Sequence, residues 1–406
     1  MPALKELKGN MLIAQSGGPT AVINQTLVGA VLEARKHGCI EKVMGSKHGI
    51  QGILDEDFVN LGRESVANLE KVAQTPSSAL GSVRKKPTAE DCAKIFEVLQ
   101  KYNVRYFFYI GGNDSAETTY IINQAARKAK FDFRCFHLCK TIDNDLRQND
   151  HTPGFGSAAR FVASAFMGDN QDNRALGGVK INVIMGRHAG FLTAAAALAK
   201  VHPDDGPHLI YLPERAFSLA GFAKDVKKVM KENGRCVIAV SEGICDSKGT
   251  PIIAAHTKEV DSHGNLQLSG TGALGDILAE ELKKRTGIAR VRADTFGYLQ
   301  RSFPGVVSPV DAKEARSVGA AGVNFAVKEF ADGSVAIKRK ASKRYGVTFE
   351  RVTLKSVAKE TKHMPAKFIH KDGNQVTPAF IEYVKPLVGP LPVIGRLKDY
   401  PIPKQK

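Results

Sequence analysis

The segment Cys139-Lys140-Thr141-Ile142-Asp143-Asn144-Asp145 puts two carboxylates, an ammonium and a hydroxyl directly after an apolar run that reads as a strand. That set suits phosphoryl transfer to an alcohol. It holds a base for the hydroxyl proton, a cation for the moving phosphate and an anion to help hold magnesium. Carboxylates two residues apart can face the same way, so one can take a proton while the other binds metal. A polar turn rich in Asp and Asn would account for Asn144 but not for the whole set.

Gly111-Gly112-Asn113-Asp114-Ser115 also follows an apolar strand. Its glycines admit a phosphate, Ser115 can donate to it, and Asn113 or Asp114 can touch magnesium. A helix cap is the plainer reading of Asp114 and Ser115, and both readings can hold at once. Gly17-Gly18, between a short strand and a helix, offers a similar backbone cradle with the positive helix end behind it, although any tight strand-to-helix turn uses glycine. Met185-Gly186-Arg187 ends another strand, where Arg187 is a good bidentate phosphate ligand. Glu242, between Ser241 and Gly243, can accept sugar hydroxyls, and Arg292 and Arg301 are further phosphate candidates; exposed arginines are the alternative for each.

These motifs need a scaffold that brings them together. Helical spacing runs over 22–37, and Thr88 with Asp91 resembles a capping pair for a helix ending near Lys101. Strands are expected at 104–110, 131–138, 179–185, 209–212, 237–240 and 291–296, and helices at 115–128, 157–167 and, Ala-rich, 190–200. Strand, loop and helix alternate across most of the chain, which implies parallel sheets with right-handed crossovers. In such sheets ligands bind beyond the carboxyl ends of strands, where every motif above sits. Gly154-Phe155-Gly156-Ser157-Ala158-Ala159 fits a dinucleotide pattern, but it follows the loop Asp150-His151-Thr152-Pro153 and reads as a helix lead-in.

A chain of 406 residues can bury a large core and is expected to form two lobes. No run approaches the roughly 20 apolar residues of a membrane span. The polar start, with Lys5, Glu6 and Lys8, lacks a signal-peptide core, so a cytoplasmic protein is expected. The net charge of +17 invites a nucleic-acid reading, but residues 326–406 hold 17 Lys/Arg against 7 Asp/Glu with no nucleic-acid motif, and an enzyme handling several phosphates also wants positive potential. Cys135, His137 and Cys139 share one strand face but lack an evident fourth metal ligand, so they read as buried side chains in a reducing compartment.

Together the motifs resemble the phosphofructokinase family almost from end to end. Ser16-Gly17-Gly18, Gly81-Ser82-Val83-Arg84, Gly111-Gly112-Asn113-Asp114-Ser115, Thr141-Ile142-Asp143-Asn144-Asp145, Met185-Gly186-Arg187, Ser241-Glu242-Gly243 and Gly297-Tyr298-Leu299-Gln300-Arg301 occur in the family's order. The resemblance implies two doubly wound α/β lobes with the active site between them. Residues 1–154 with about 300–370 would hold the phosphoryl donor and Mg2+, and 155–299 with about 371–406 the sugar phosphate. It implies Asp143 as the base for the 1-hydroxyl of fructose 6-phosphate, and Lys140 and Arg187 as partners in stabilising transition-state charge. Gly17, Gly18, Arg84, Gly112, Asp114 and Ser115 would bind the donor. Thr141, Asp143, Met185, Gly186, Arg187, Glu242, Tyr298 and Arg301 would bind the sugar phosphate, with Arg292 reaching in from a neighbouring subunit of a dimer or tetramer. Asp145 and Asn113 would serve magnesium, although many members carry Asp where Asn113 stands.

ATP-using members carry glycine at the positions of Asp114 and Lys140, so the resemblance points to the pyrophosphate-dependent branch. A carboxylate at Asp114 repels the α-phosphate of ATP, and an ammonium at Lys140 offsets the charge of a donor with no nucleotide to hold it. An ATP-dependent or sedoheptulose 7-phosphate kinase is the alternative within the family, and a non-catalytic phosphate- or RNA-binding protein the alternative outside it. Gly178 replaces a second arginine reaching across subunits, for which Lys180 can substitute. Val28 and Leu32 replace two effector-binding arginines, so that effector response is expected to be absent. Extra length is expected around 259–270 and near the basic C-terminal region.

Overall fold

The computed structural model describes residues 7–255, 272–329, 331–358 and 361–405. The additional loop expected at 259–270 lies outside them. Eleven strands follow in chain order among the described residues: β1 Gly9–Gln15, β2 Ile40–Ser46, β3 Phe58–Asn60, β4 Val104–Gly111, β5 Arg134–Cys139, β6 Gly178–Ile184, β7 Leu209–Tyr211, β8 Arg235–Ser241, β9 Val291–Thr295, β10 Gly333–Arg339 and β11 Val347–Val352.

They form two sheets. The larger has the order β11-β10-β5-β4-β1-β2-β3 and the smaller β7-β8-β6-β9. The smaller sheet is parallel throughout, whereas β3 and β11 pair antiparallel at the edges of the larger one. β4 shows why the centre of the larger sheet is dry. Tyr106, Phe108 and Ile110 pack on one face with the helix Ile23–Ala34 and the helix Pro309–Lys328; Phe107 and Tyr109 pack on the other with the helices Ala89–Lys101 and Asn113–Lys128. A strand covered on both faces needs apolar side chains at every position rather than alternation.

Distant parts of the chain meet closely. The helix Ile23–Ala34 crosses Pro309–Lys328 at two glycines, where a Cβ on Gly29 would stand 2.1 Å from the Arg316 carbonyl oxygen and one on Gly319 would stand 2.1 Å from that of Thr26. Asp311 accepts from the Gly154 and Ser157 amides at 2.9 and 2.8 Å and so caps the helix Phe155–Leu176 from a second helix. Thr88 and Asp91 form the expected capping box. Gly154 with φ +105° leads straight into the helix Phe155–Leu176, as read from its flanking loop.

Some expectations need correction. The Ala-rich run 190–200 is a short α-helix, Phe191–Ala194, followed by the 3-10 turn Ala195–Ala199, because a segment of alanines buried on every side takes its shape from its surroundings rather than from propensity. The strand expected from residue 131 starts at Arg134, since Lys130 adopts φ +53° and the chain turns there.

Candidate active site

Five strands of both sheets end at one cleft of about 680 Å³. β1 delivers Ser16, Gly17 and Gly18; β4 delivers Gly112, Asn113, Asp114 and Ser115; β5 delivers Lys140, Thr141, Asp143 and Asp145; β6 delivers Met185 and Arg187; β8 delivers Glu242. Arg84 and Arg301 also line it.

The end of the cleft around Gly17 and Gly112 is built by backbone. Gly17 has φ +73°, which favours glycine, and its amide donates to the Val83 carbonyl at 3.2 Å while Ser82 Oγ donates to the Gly17 carbonyl at 2.6 Å. The loop carrying Arg84 is thereby tied to the first glycine loop. Gly111 cannot carry a side chain, because its Cβ would fall 1.9 Å from Ser115 Oγ, which is itself 2.5 Å from Ser16 Oγ. Gly112 is the N-cap of the helix Asn113–Lys128, and no side chain caps that helix. Asp114 and Ser115 are therefore first-turn residues facing the cleft, which corrects the helix-cap reading. The other helix expected behind a cradle starts at Ile23, beyond the loop, and its first turn does not line the cleft.

Lys140 is buried, and its Nζ donates to the Gly18 carbonyl at 2.8 Å. Burial, with Arg301 and Arg84 nearby, pushes its ammonium down to about 7. Burial likewise pushes Asp143 up to about 7, with Asp145 and Glu242 adding repulsion and Lys140 and Arg301 opposing it. Asp145 is also raised, chiefly by burial. Arg301 is depressed by burial and by Arg84; its guanidinium lies 4.4 Å over the Tyr298 ring, and its Nε is buried without a hydrogen-bond partner.

A divalent cation fits beside Asp145. Asn113 Nδ2 donates to Asp145 Oδ2 at 3.1 Å, which leaves Asn113 Oδ1 buried without a hydrogen-bond partner. A buried amide oxygen without a partner, beside carboxylates whose charged forms burial penalises, is a setting that a divalent cation would relieve.

Not every expected residue reaches the cleft. Gly186 stands behind it, with φ +141° and its amide 3.4 Å from Glu242 Oε1. Tyr298 is half exposed and supports Arg301 from outside. Arg292 is exposed on the edge strand β9, away from the cleft of its own chain. Lys180, its registered neighbour on β6, is paired with Asp294 and lies 3.7 Å from Asp169. His137 sits with both ring nitrogens occupied, one by Ser334 Oγ and one by the Gly111 carbonyl, each at 2.8 Å, while Cys135 and Cys139 pack into different hydrophobic clusters.

The structure also adds residues that the motifs did not name. Lys85 and Lys86 follow Arg84 into the cleft, and Lys86 pairs with Glu117 at 2.9 Å. The run Arg84-Lys85-Lys86 was a legible signal, whereas Glu117, His188 and Thr361 carried none. Thr361 arrives from a distant segment that bridges Leu146 in the loop after Asp145.

Comparison with known proteins agrees with this geometry. The phosphofructokinase family model matches residues 10–326. The chain is 56% identical over 400 residues to the pyrophosphate–fructose 6-phosphate 1-phosphotransferase of Rhodospirillum rubrum, covering 98% of each chain. It is 40% identical to the protein of the same name from Xanthomonas campestris, over 94% of this chain and 91% of that one. The crystal structure of the pyrophosphate-dependent phosphofructokinase of Marinobacter aquaeolei superposes with a TM-score of 0.84 at 30% identity, covering 98% of both chains. With its glycine loops, paired aspartates and arginines gathered at one cleft, the chain belongs to the phosphofructokinase family.

Proposed function

We propose that this chain transfers the terminal phosphoryl group of pyrophosphate to the 1-hydroxyl of fructose 6-phosphate, giving fructose 1,6-bisphosphate and phosphate, and that it runs readily in both directions. The observation that carries the reading is the donor end of the cleft, where Asp114 lines the wall and the Lys140 ammonium is buried against the Gly18 carbonyl. A nucleotide must pass its inner phosphate by that carboxylate, whereas a bare diphosphate meets Lys140, Arg84 and the amides of the helix start. The relatives named above support the same donor and sugar.

In the reaction Asp143 takes the proton of the 1-hydroxyl, and the freed oxygen attacks the terminal phosphorus as its bond to the bridging oxygen breaks. A carboxylate raised to about 7 is a stronger base than an ordinary one. Lys140 and Arg187 balance the charge spread over the transferring group, and inorganic phosphate leaves toward Arg84. Arg301 and Glu242 orient the sugar phosphate. Asp145 and the Oδ1 of Asn113 would hold Mg2+, which would supply charge neutralisation for the donor.

We further assign residues 1–154 with about 300–370 to the donor lobe, supported by β10 and β11 joining the larger sheet. Residues 155–299 with about 371–406 form the sugar lobe, supported by Phe380 and Val384 packing with Phe155 and Phe166. The working protein is a homo-oligomer, because Arg292 is exposed and lies outside the cleft of its own chain. It works in the cytoplasm, in keeping with a described chain that has no helix long and apolar enough to cross a membrane. Loss of the bacterial effector response is supported by Val28, which is buried in the core.

Initial rates at fixed fructose 6-phosphate test the donor. Pyrophosphate is expected to outrun ATP by at least about a hundredfold. Equal or faster turnover with ATP would sink the assignment.

A further inference from the structure

Asp143 and Asp145 flank Asn144, a buried residue held in the left-handed region at φ +59°. A non-glycine residue keeps that conformation only where its surroundings enforce it. Two side chains from far along the chain do so. Tyr383 Oη accepts from Asn144 Nδ2 at 2.7 Å and donates to the Asp150 carbonyl at 2.8 Å. Lys362 Nζ donates to the carbonyls of Asn149 and Asp150, each at 3.0 Å, and approaches Asn144 Oδ1 at 3.4 Å. The main-chain amide of Lys362 donates to the Asp145 carbonyl at 2.6 Å. Its ammonium also lies 5.1 Å from the centre of the Phe191 ring.

The residues around Lys362 reach the sugar side of the cleft as well. Thr361 pairs with Leu146 and lines the cleft. His363 Nδ1 stands 2.9 Å from the His188 carbonyl, directly after Arg187. The Met364 amide donates to Glu214 Oε1 at 3.0 Å, and the Gly190 amide donates to the same oxygen at 2.9 Å. The strap 361–364 therefore touches the loop of the base and the loop of the phosphate-binding arginine.

We propose that Lys362 is a positioning residue for phosphoryl transfer: its amide and ammonium hold the 143–150 loop in the turn that aims both aspartates into the cleft, and its neighbours tie that loop to the Arg187-His188 turn. The inference rests on the reading given under Proposed function. Lys362 does not line the cleft, so it acts through the loop and not on substrate. Misplacing a reacting group by about 1 Å costs on the order of a hundredfold in rate while leaving ground-state contacts largely intact. A kcat effect without a matching KM effect is the signature of that role.

The test compares wild type with Lys362→Met and Lys362→Arg, using kcat, KM for fructose 6-phosphate and calorimetric binding of that sugar. Lys362→Met, which keeps length and removes the donors, is expected to lower kcat by about a hundredfold with KM and sugar affinity within about threefold. Lys362→Arg, which keeps charge and donors, is expected to recover at least about a tenth of wild-type kcat. A kcat for Lys362→Met within about threefold of wild type overturns the inference alone, as does an equal loss of kcat and sugar binding in both variants. Should Lys362→Met fail to fold, Lys362→Gln is measured by the same split; failure of that variant to fold as well overturns positioning in favour of a purely structural role. A wild-type chain without pyrophosphate turnover overturns the functional reading, and this inference with it.

Discussion

Asp143 is raised chiefly by burial, with Asp145 and Glu242 adding repulsion, and Lys140 is depressed chiefly by burial, with Arg301 and Arg84 adding to it. Opposite perturbations side by side are a mark of sites where protons move. Replacing Asp143 by Ser removes the base but none of the sugar's arginine contacts, so kcat should fall by about 10³-fold while fructose 6-phosphate affinity changes little. A modest loss of turnover would take Asp143 out of that role. Donor choice also lives at this scale. The double variant Asp114→Gly with Lys140→Gly removes the repelling carboxylate and opens the floor, and ATP should then compete with pyrophosphate; an unchanged ATP inhibition constant would refute the steric and charge argument.

The elements carrying these residues are joined by a buried polar network next to the catalytic loop. His151 lies between Asp150 Oδ2 at 2.8 Å and Glu314 Oε2 at 2.5 Å, while Tyr345 Oη donates to Glu314 Oε1 at 2.7 Å and Arg339 Nε donates to Asp150 Oδ2 at 3.1 Å. Burial alone would depress His151, but its two carboxylate partners outweigh burial and hold the imidazolium above its ordinary value. A group raised in the folded state stabilises fully below its unfolded pKa, near 6.5, and that contribution is lost as pH rises through the folded value. Melting temperature should therefore decline on the alkaline side of about 6.5, and His151→Asn should flatten that decline. Parallel melting curves for wild type and variant across that range would remove the network from this role.

At the scale of the whole molecule, one chain gathers Gly17, Arg84, Asp114 and Lys140 at its own cleft but leaves Arg292 exposed on an edge strand. If a second subunit's Arg292 grips the 6-phosphate, Arg292→Ala should raise KM for fructose 6-phosphate by tenfold or more, with about 1.5 kcal/mol or more lost from a charge-assisted contact. Asp143→Ser and Arg292→Ala chains refolded together should then recover turnover at low fructose 6-phosphate concentration, which neither variant shows alone. Such recovery requires one cleft to draw on two chains, and its absence would confine the site to a single chain.

Residue types and spacing pointed to phosphoryl transfer at strand ends, and the family resemblance carried by the motifs added the donor, the sugar and the residue roles. The carboxylates, Lys140 and the glycine loops each follow an apolar strand, and the strand–helix alternation that puts such loops at one sheet edge is a local property of the sequence. Position along the chain therefore predicted the gathering of Gly17, Asp114, Asp143, Arg187 and Glu242. Only the tertiary structure decided what depends on contacts between distant segments: that Ser115 bonds Ser16 instead of capping its helix, and that Thr361 and Lys362 return to brace the loop of the aspartates. Those contacts arise from packing and burial across hundreds of residues, and neither propensity nor motif spacing encodes which distant backbone carbonyl a lysine will meet.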